Sequence, residues 1–201
     1  MNKALIIFIK NPSEGAVKTR LAATLGNKVT LGIYKKLLAH TNAVAGKVHA
    51  EKHIFYSSQI DAHDEWDGAI FAKELQTGNG LGERMRNAFA GLFNKGYGQV
   101  AIIGSDCPDI TADLIEQAFK ELDRSDIVIG PATDGGYYLL AFKKFYPELF
   151  ENISWSTSHV LKQTLAVCKS INKTFHLLPL LSDVDVEEDV INRKEFFSSK
   201  K

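Results

Sequence analysis

Cysteine is scarce in this chain of 201 residues: Cys107 and Cys168 are the only two, and no CxxC spacing occurs. That excludes a disulfide-stapled fold and a cysteine-rich zinc module. An excess of charge of either sign is also missing, because 24 Lys and Arg are balanced by 24 Asp and Glu. The balance argues against a nucleic-acid binder or a membrane-surface binder, both of which use a basic excess. Long hydrophobic runs are lacking too. The run from Ala4 to Ile9 lies between Lys3 and Lys10, too short for a signal-peptide core or a bilayer span. The expected location is cytoplasmic. The histidines show neither HExxH nor HxH spacing and GxSxG does not occur, so zinc and serine hydrolysis have no motif behind them.

What remains is a chain with 45% apolar and 24% charged residues, ordinary for a globular protein. Residues 1–201 are expected to form one domain with a sizeable core. Short apolar runs alternate with longer helix-like segments, which predicts an α/β architecture. Ala4–Ile9 reads as a strand buried on both faces. Further strands are expected at His53–Ser57, Val100–Ile103, Ile127–Ile129, Tyr137–Phe142 and Thr174–Leu178. Helices are expected at Val29–Val48, Glu83–Phe93, Thr111–Leu122, Val160–Cys168 and Val186–Phe197, where apolar residues recur near helical spacing. The gap between the strands at Ile127 and Tyr137 is too short for a helical crossover. A hairpin or a functional turn must join them, so a mostly parallel sheet with one reversed strand follows.

Five segments offer chemistry. The loop after the first strand carries Lys10, Lys18, Thr19 and Arg20, whose cations and nearby backbone N–H groups suit a polyphosphate. It is neither a Walker A loop nor GxGxxG, and a solvated turn accounts for the same residues. Gly78, Gly80 and Gly82, followed by Arg84, permit close backbone approach, although Glu83 stands where a dinucleotide fingerprint needs glycine. Asp106 follows a buried strand, where a hard oxygen ligand can hold a nucleotide-bound Mg²⁺. Asp109 is the weaker carboxylate there, since it precedes a helix start. Asp134-Gly135-Gly136 lies between two strands, a strong hairpin signal. Two glycines exceed what a turn requires and leave room for an acceptor or sugar beside Asp134. Finally, Asp183 and Asp185 point to one side in an extended chain and can share a divalent cation. Asp185 with Glu188 also matches a capping box, with Asp185 as N-cap. Trp155 lines a substrate pocket or anchors the core.

The order Lys-Thr-Arg-Leu (18–21), Gly-Ser-Asp-Cys-Pro (104–108), Asp-Gly-Gly-Tyr-Tyr (134–138), Trp-Ser-Thr (155–157) and Asp-Val-Asp-Val-Glu-Glu-Asp (183–189) closely resembles the DUF2064 family of candidate glycosyltransferases. The resemblance spans roughly Lys3 to Asp189. It implies a compact nucleotide-diphospho-sugar transferase with a GT-A-like, Rossmann-like three-layer α/β/α fold. It also implies a nucleotide-binding first loop at Lys10, Lys18, Thr19 and Arg20, and a metal-binding aspartate at Asp106. Asp183 and Asp185 match the second acidic position of related nucleotidyltransferases. The pattern is similar to phospholactate guanylyltransferases as well. Two departures stand out: no strict DxD occurs mid-chain, and the first loop lacks the Gly-Gly pair of sugar nucleotidyltransferases.

The resulting expectation is a Mg²⁺- or Mn²⁺-dependent transferase with a nucleotide-sugar or NTP donor and a small-molecule acceptor. Asp106, Asp183 and Asp185 hold the metal, with Asp106 and Asp134 as catalytic groups. Lys10, Lys18, Thr19, Arg20, Gly80 and Arg84 bind the nucleotide, while Gly135, Gly136 and Trp155 face the substrate. The alternatives are nucleotidyl transfer and a nucleotide-binding protein without turnover. Neither nucleic acid nor membrane is an expected partner, and a homo-oligomer is compatible with the composition.

Overall fold

The computed structural model describes residues 2–198. In chain order the elements are β1 (Lys3–Ile9), α1 (Thr19–Leu25), α2 (Asn27–Gly46), β2 (Glu51–Tyr56), β3 (Phe71–Leu75), α3 (Leu81–Asn94), β4 (Gln99–Ile103), α4 (Ala112–Glu121), β5 (Ile127–Pro131), β6 (Tyr137–Phe142), a 3₁₀ turn (Pro147–Phe150), α5 (Val160–Ser170), β7 (Phe175–Leu177), α6 (Glu187–Ile191) and α7 (Lys194–Ser198). The seven strands form one mixed sheet in the order β3-β2-β1-β4-β6-β5-β7. β6 pairs antiparallel with both β4 and β5, and every other pairing is parallel. The hairpin and the single reversed strand are therefore as the short connection requires.

Alternation along β1 builds the three layers, because successive strand side chains point to opposite faces. Leu5, Ile7 and Ile9 join a core with Tyr34 and Leu38 of α2 and Ile115 and Phe119 of α4. Ala4, Ile6 and Phe8 join a second core with Met85, Phe89 and Leu92 of α3 and Cys168 of α5. Both faces of the strand are thus covered, as its unbroken apolar run demands. Thr111 caps α4, its hydroxyl accepting the Leu114 N–H at 3.2 Å, a contact typically worth ~1 kcal/mol.

The elements differ from the sequence expectation in four places, one of them the 3₁₀ turn Pro147–Phe150, which no expected element covers. β3 escapes the pattern because, with only Phe71 fully buried, this edge strand carries charges at Lys73 and Glu74. α1 is a separate short helix, cut from α2 by Gly26 at φ 77°. The expected closing helix is two, α6 and α7, where the turn tightens and Arg193 N–H donates to the Val190 carbonyl at 3.1 Å.

The topology positions a site. After β1 the chain first builds β2 and β3 on one side, then returns to place β4 on the other. Such a reversal opens a crevice at the carboxyl ends of the central strands. The exits of β1, β4, β5 and β7 all lie along this edge, because these strands run parallel.

Candidate functional site

Tyr34 ties the two central exits together. Its hydroxyl accepts the Lys10 backbone N–H at 2.9 Å, donates to the Lys10 carbonyl at 3.0 Å and lies 3.2 Å from Ser105 Oγ. Burial, reinforced by the Asp106 charge, pushes the phenol well above its ordinary pKa, so it stays a neutral tie. The residues leaving β1 and β4 are held side by side.

The segment after β7 joins them by backbone hydrogen bonds. Leu181 N–H donates to the Pro131 carbonyl at 3.1 Å, Thr133 N–H to Leu181 at 2.9 Å, and Val184 N–H to Asp106 at 3.0 Å. Asp106, Asp183 and Asp185 are gathered by these bonds, with Val184 fully buried between the last two.

Lys18 enters the cluster from the first loop. Its side chain is 6% exposed, and its ammonium lies 2.9 Å from both Asp106 Oδ2 and Asp185 Oδ1. Burial pushes the lysine pKa down, but the two carboxylates more than offset it, and the net shift is upward. The backbone of Lys18 is left-handed, at φ 49° and ψ 49°, a conformation uncommon outside glycine and often found at functional sites.

Asp183 has no such partner. Its Oδ1 is buried without a hydrogen bond. Burial, then the neighbouring charge of Asp106, raises its carboxyl to about 7 against the opposing pull of Lys18, with Asp134 and Asp185 adding to the rise. The charges of Asp106, Asp134 and Asp185 thus all act on Asp183 in one direction, with Lys18 opposing them.

Two expected assignments change. Asp185 is not the N-cap of α6, which begins at Glu187. Asp189 reaches back instead, its Oδ2 accepting the N–H groups of Asp185 at 2.8 Å and Val186 at 2.9 Å. The Asp185 carboxylate is thereby free for Lys18. Asp109 faces Arg193, whose Nη2 and Nε donate to its Oδ2 at 2.7 and 3.2 Å. Arg193 also donates to the carbonyls of Ser182 at 3.3 Å and Asp189 at 3.5 Å, clasping the acidic segment onto the β4 exit. Neither Tyr34 nor Arg193 was marked by the motifs; a tyrosine in the apolar stripe of a helix was the one available sign.

The remaining expected residues divide. Thr19 and Arg20, in the first turn of α1, and Lys10 are exposed along the same edge. Arg84 is spent on its own loop and on the exit of β2, donating to Gly78 O at 3.1 Å, Gln76 Oε1 at 3.3 Å and Ser57 O at 3.4 Å. Gln76 in turn donates to the ends of β1 and β2, at Ile9 O and Phe55 O. Gly80 caps α3 in an extended conformation at φ −164°. Asp134 is exposed and its Oδ1 accepts the Gly136 N–H at 2.8 Å. The room left by Gly135, at φ +88°, is filled by Ser158: a Cβ there lies 2.3 Å from the Ser158 carbonyl oxygen. Gly135 is thus explained by chain packing rather than by open space, whereas a Cβ at Gly136 meets only the Asp134 carboxylate, at 3.2 Å. Trp155 lies over Gly82, where a Cβ meets its Nε1 at 2.0 Å, and stacks 6.4 Å from Phe150. It anchors the edge of the second core. Cys107 is buried, its thiol pushed up to about 12 by burial and then by Asp183, so it is no nucleophile at neutral pH.

The acidic cluster has the chemistry for a hard divalent cation: carboxylate oxygens from two strand exits, one of them buried and unpartnered. Among the described residues no three His, Cys, Asp or Glu side chains stand ready around one point. A cleft of about 680 Å³ lined by Lys3, Glu51 and Tyr97 lies at the opposite, amino end of the strands and has no comparable convergence of carboxylates.

Fold and cluster together define an α/β protein of the nucleotide-diphospho-sugar transferase architecture, with its polar groups at the switch point. The chain belongs to the family described as uncharacterized proteins conserved in bacteria (DUF2064), whose model matches residues 39–157. It is similar to a candidate nucleotide-diphospho-sugar transferase from Desulfovibrio desulfuricans G20, at 33% identity over 97% of this chain and 88% of that one, with a TM-score of 0.88. The fold is shared with 4-diphosphocytidyl-2C-methyl-D-erythritol synthase from Anaerococcus prevotii DSM 20548, at 11% identity over 98% and 96% of the chains and a TM-score of 0.64. It is shared too with Rv0371c from Mycobacterium tuberculosis H37Rv, solved with manganese, at 12% identity over 98% of each chain and a TM-score of 0.56. No curated protein matches the chain in sequence. No described helix is long and apolar enough to cross a membrane.

Proposed function

We propose that this protein is a metal-dependent transferase that uses a nucleotide-activated sugar as donor. The observation that carries the reading is the meeting of Lys18 with Asp106 and Asp185, at 2.9 Å each, on the carboxyl edge of the sheet. A cationic loop and a carboxylate cluster at a switch point suit a metal-chelated diphosphate. The similarity to the Desulfovibrio protein supports the sugar donor.

In this reading Lys10, Thr19 and Arg20 contact the nucleotide and its phosphates, with the backbone of the Gly78–Gly80 loop alongside. Asp106, with Asp183 or Asp185, holds Mg²⁺ or Mn²⁺, which when bound neutralises charge on the diphosphate. Asp134 orients the acceptor hydroxyl and takes its proton as the oxygen bonds to the anomeric carbon. The bond from that carbon to the diphosphate breaks, and the nucleoside diphosphate leaves.

A second reading, nucleotidyl transfer, draws on the pairing of Asp109 with Arg193. That pairing engages Asp109 away from the cluster, so the mid-chain carboxylate beside the terminal acidic segment is Asp106, which meets Asp185 across Lys18. This is the arrangement implied by the likeness to guanylyltransferases. An acceptor phosphate then attacks the α-phosphorus and pyrophosphate leaves. Incubation with panels of nucleotide sugars and NTPs, Mg²⁺ or Mn²⁺ and candidate acceptors decides between the two. A released nucleoside diphosphate supports glycosyl transfer, and pyrophosphate overturns it in favour of the second reading.

A further inference from the structure

Lys18 has a feature that phosphate binding alone does not require: it already has two anionic partners. Its ammonium is nearly buried and lies 2.9 Å from one oxygen of Asp106 and one of Asp185. Those two side chains come from different strand exits, and the cation between them neutralises their mutual repulsion. The backbone that delivers it is left-handed at φ 49°, so the side chain is aimed by the fold rather than trailing from a loose loop. Val17, 2% exposed beside it, anchors the approach.

We propose that Lys18 is a built-in competitor of the divalent cation: its ammonium occupies the place between Asp106 and Asp185, and must leave when the cation arrives. Two cations cannot share that gap without repelling one another in a partly desolvated site. The displaced ammonium loses two carboxylates and needs another anion, which the diphosphate of the incoming ligand supplies at the same edge. Cation and phosphate ligand therefore help each other to bind, and the help is reciprocal. The cation alone binds weakly because it must first expel Lys18. This inference rests on the metal-and-nucleotide reading and adds to it an exchange of partners by one residue.

The test is Mn²⁺ binding to the metal-free full-length protein, without nucleotide, followed by the electron paramagnetic resonance signal of free Mn²⁺. Lys18→Met is expected to bind Mn²⁺ at least about tenfold more tightly than wild type, and Lys18→Arg to bind as weakly as wild type. Equal or weaker binding by a folded Lys18→Met, with Asp106→Asn still abolishing it, overturns the competition alone. Binding by neither protein, or binding indifferent to Asp106→Asn, overturns the underlying metal reading instead. A measurement on wild type guards against a variant that does not fold. In protein with ¹⁵N-labelled lysine, Mg²⁺ should shift or abolish the slowly exchanging Lys18 ammonium signal. An unchanged signal while amides around Asp106 respond to Mg²⁺ overturns the proposal.

Discussion

The backbone N–H of Val184 donates to the carbonyl of Asp106 at 3.0 Å. This bond joins the exit of β4 to the segment after β7 and sets Asp183 and Asp185, on either side of Val184, beside Asp106. The cluster thus depends on main-chain geometry, and side-chain substitutions within it test function without dismantling the edge.

Asp106→Asn keeps the shape of the side chain and removes its charge. Transferase activity should fall by about 10²-fold or more, the scale set by losing one group that stabilises charge in the transition state. The melting temperature should change by only a few degrees, since the carboxylate is partly exposed and its pairing with Lys18 is modest in stability. Steady-state kinetics with parallel thermal melts check both, and a variant of near-normal activity excludes Asp106 from the chemistry.

Asp183 makes the stability of the metal-free protein depend on pH. Its carboxyl is raised from the ordinary 3.8 to about 7 in the folded chain, so the folded state holds its proton more tightly than the unfolded one. The stabilisation is complete below about 3.8 and is lost as pH rises through about 7. Asp183→Asn removes this loss. In EDTA at pH 7.5 it should melt about 2–4 °C above wild type, equivalent to ~1 kcal/mol for a chain of this size. At pH 4 the two should converge, and melting curves across that range supply the check.

Arg193 acts through the residues it holds, by bonds to Asp109, Ser182 and Asp189. Arg193→Met should lower the melting temperature by a few degrees, or ~1 kcal/mol. It should weaken Mn²⁺ binding about tenfold while leaving the α2 side of the fold unchanged. Arg193→Lys restores the charge without the fork and should recover only part of each effect. Isothermal titration calorimetry and thermal melts measure the two losses separately.

Glycine substitutions separate packing from free space. Gly135→Ala meets the Ser158 backbone at 2.3 Å with φ +88°, and should cost ~2 kcal/mol or more. Gly32 sits on an exposed turn of α2 with nothing within 4 Å of an added Cβ. Gly32→Ala should instead stabilise by ~0.5–1 kcal/mol, through helix propensity. Urea denaturation of both variants gives the comparison, and a neutral Gly135→Ala reopens the space beside the turn for a ligand.

Local pattern revealed what local forces govern. The apolar run of β1 needs cover on both faces, the short Ile127–Tyr137 connection admits no crossover, and the stripes of α3 and α4 repeat at helical spacing; each of these survives in the structure. The weakly patterned β3 did not show itself, because an edge strand with one fully buried side chain has little periodicity to read. In the site, the loop after β1, Asp106 and the terminal aspartates stood out by type and by place at strand ends. Their individual partners did not.

Residue order and chemistry were thus enough to define the layers, the reversed strand and the stretches that carry charge. Tertiary structure alone assigned Lys18 to Asp106 and Asp185, Arg193 to Asp109, and Arg84 to its own loop and the exit of β2. The reason is physical: strand periodicity and turn chemistry act over a few residues, whereas ion pairs between distant segments are chosen by strand order and by the backbone bonds that draw one exit against another.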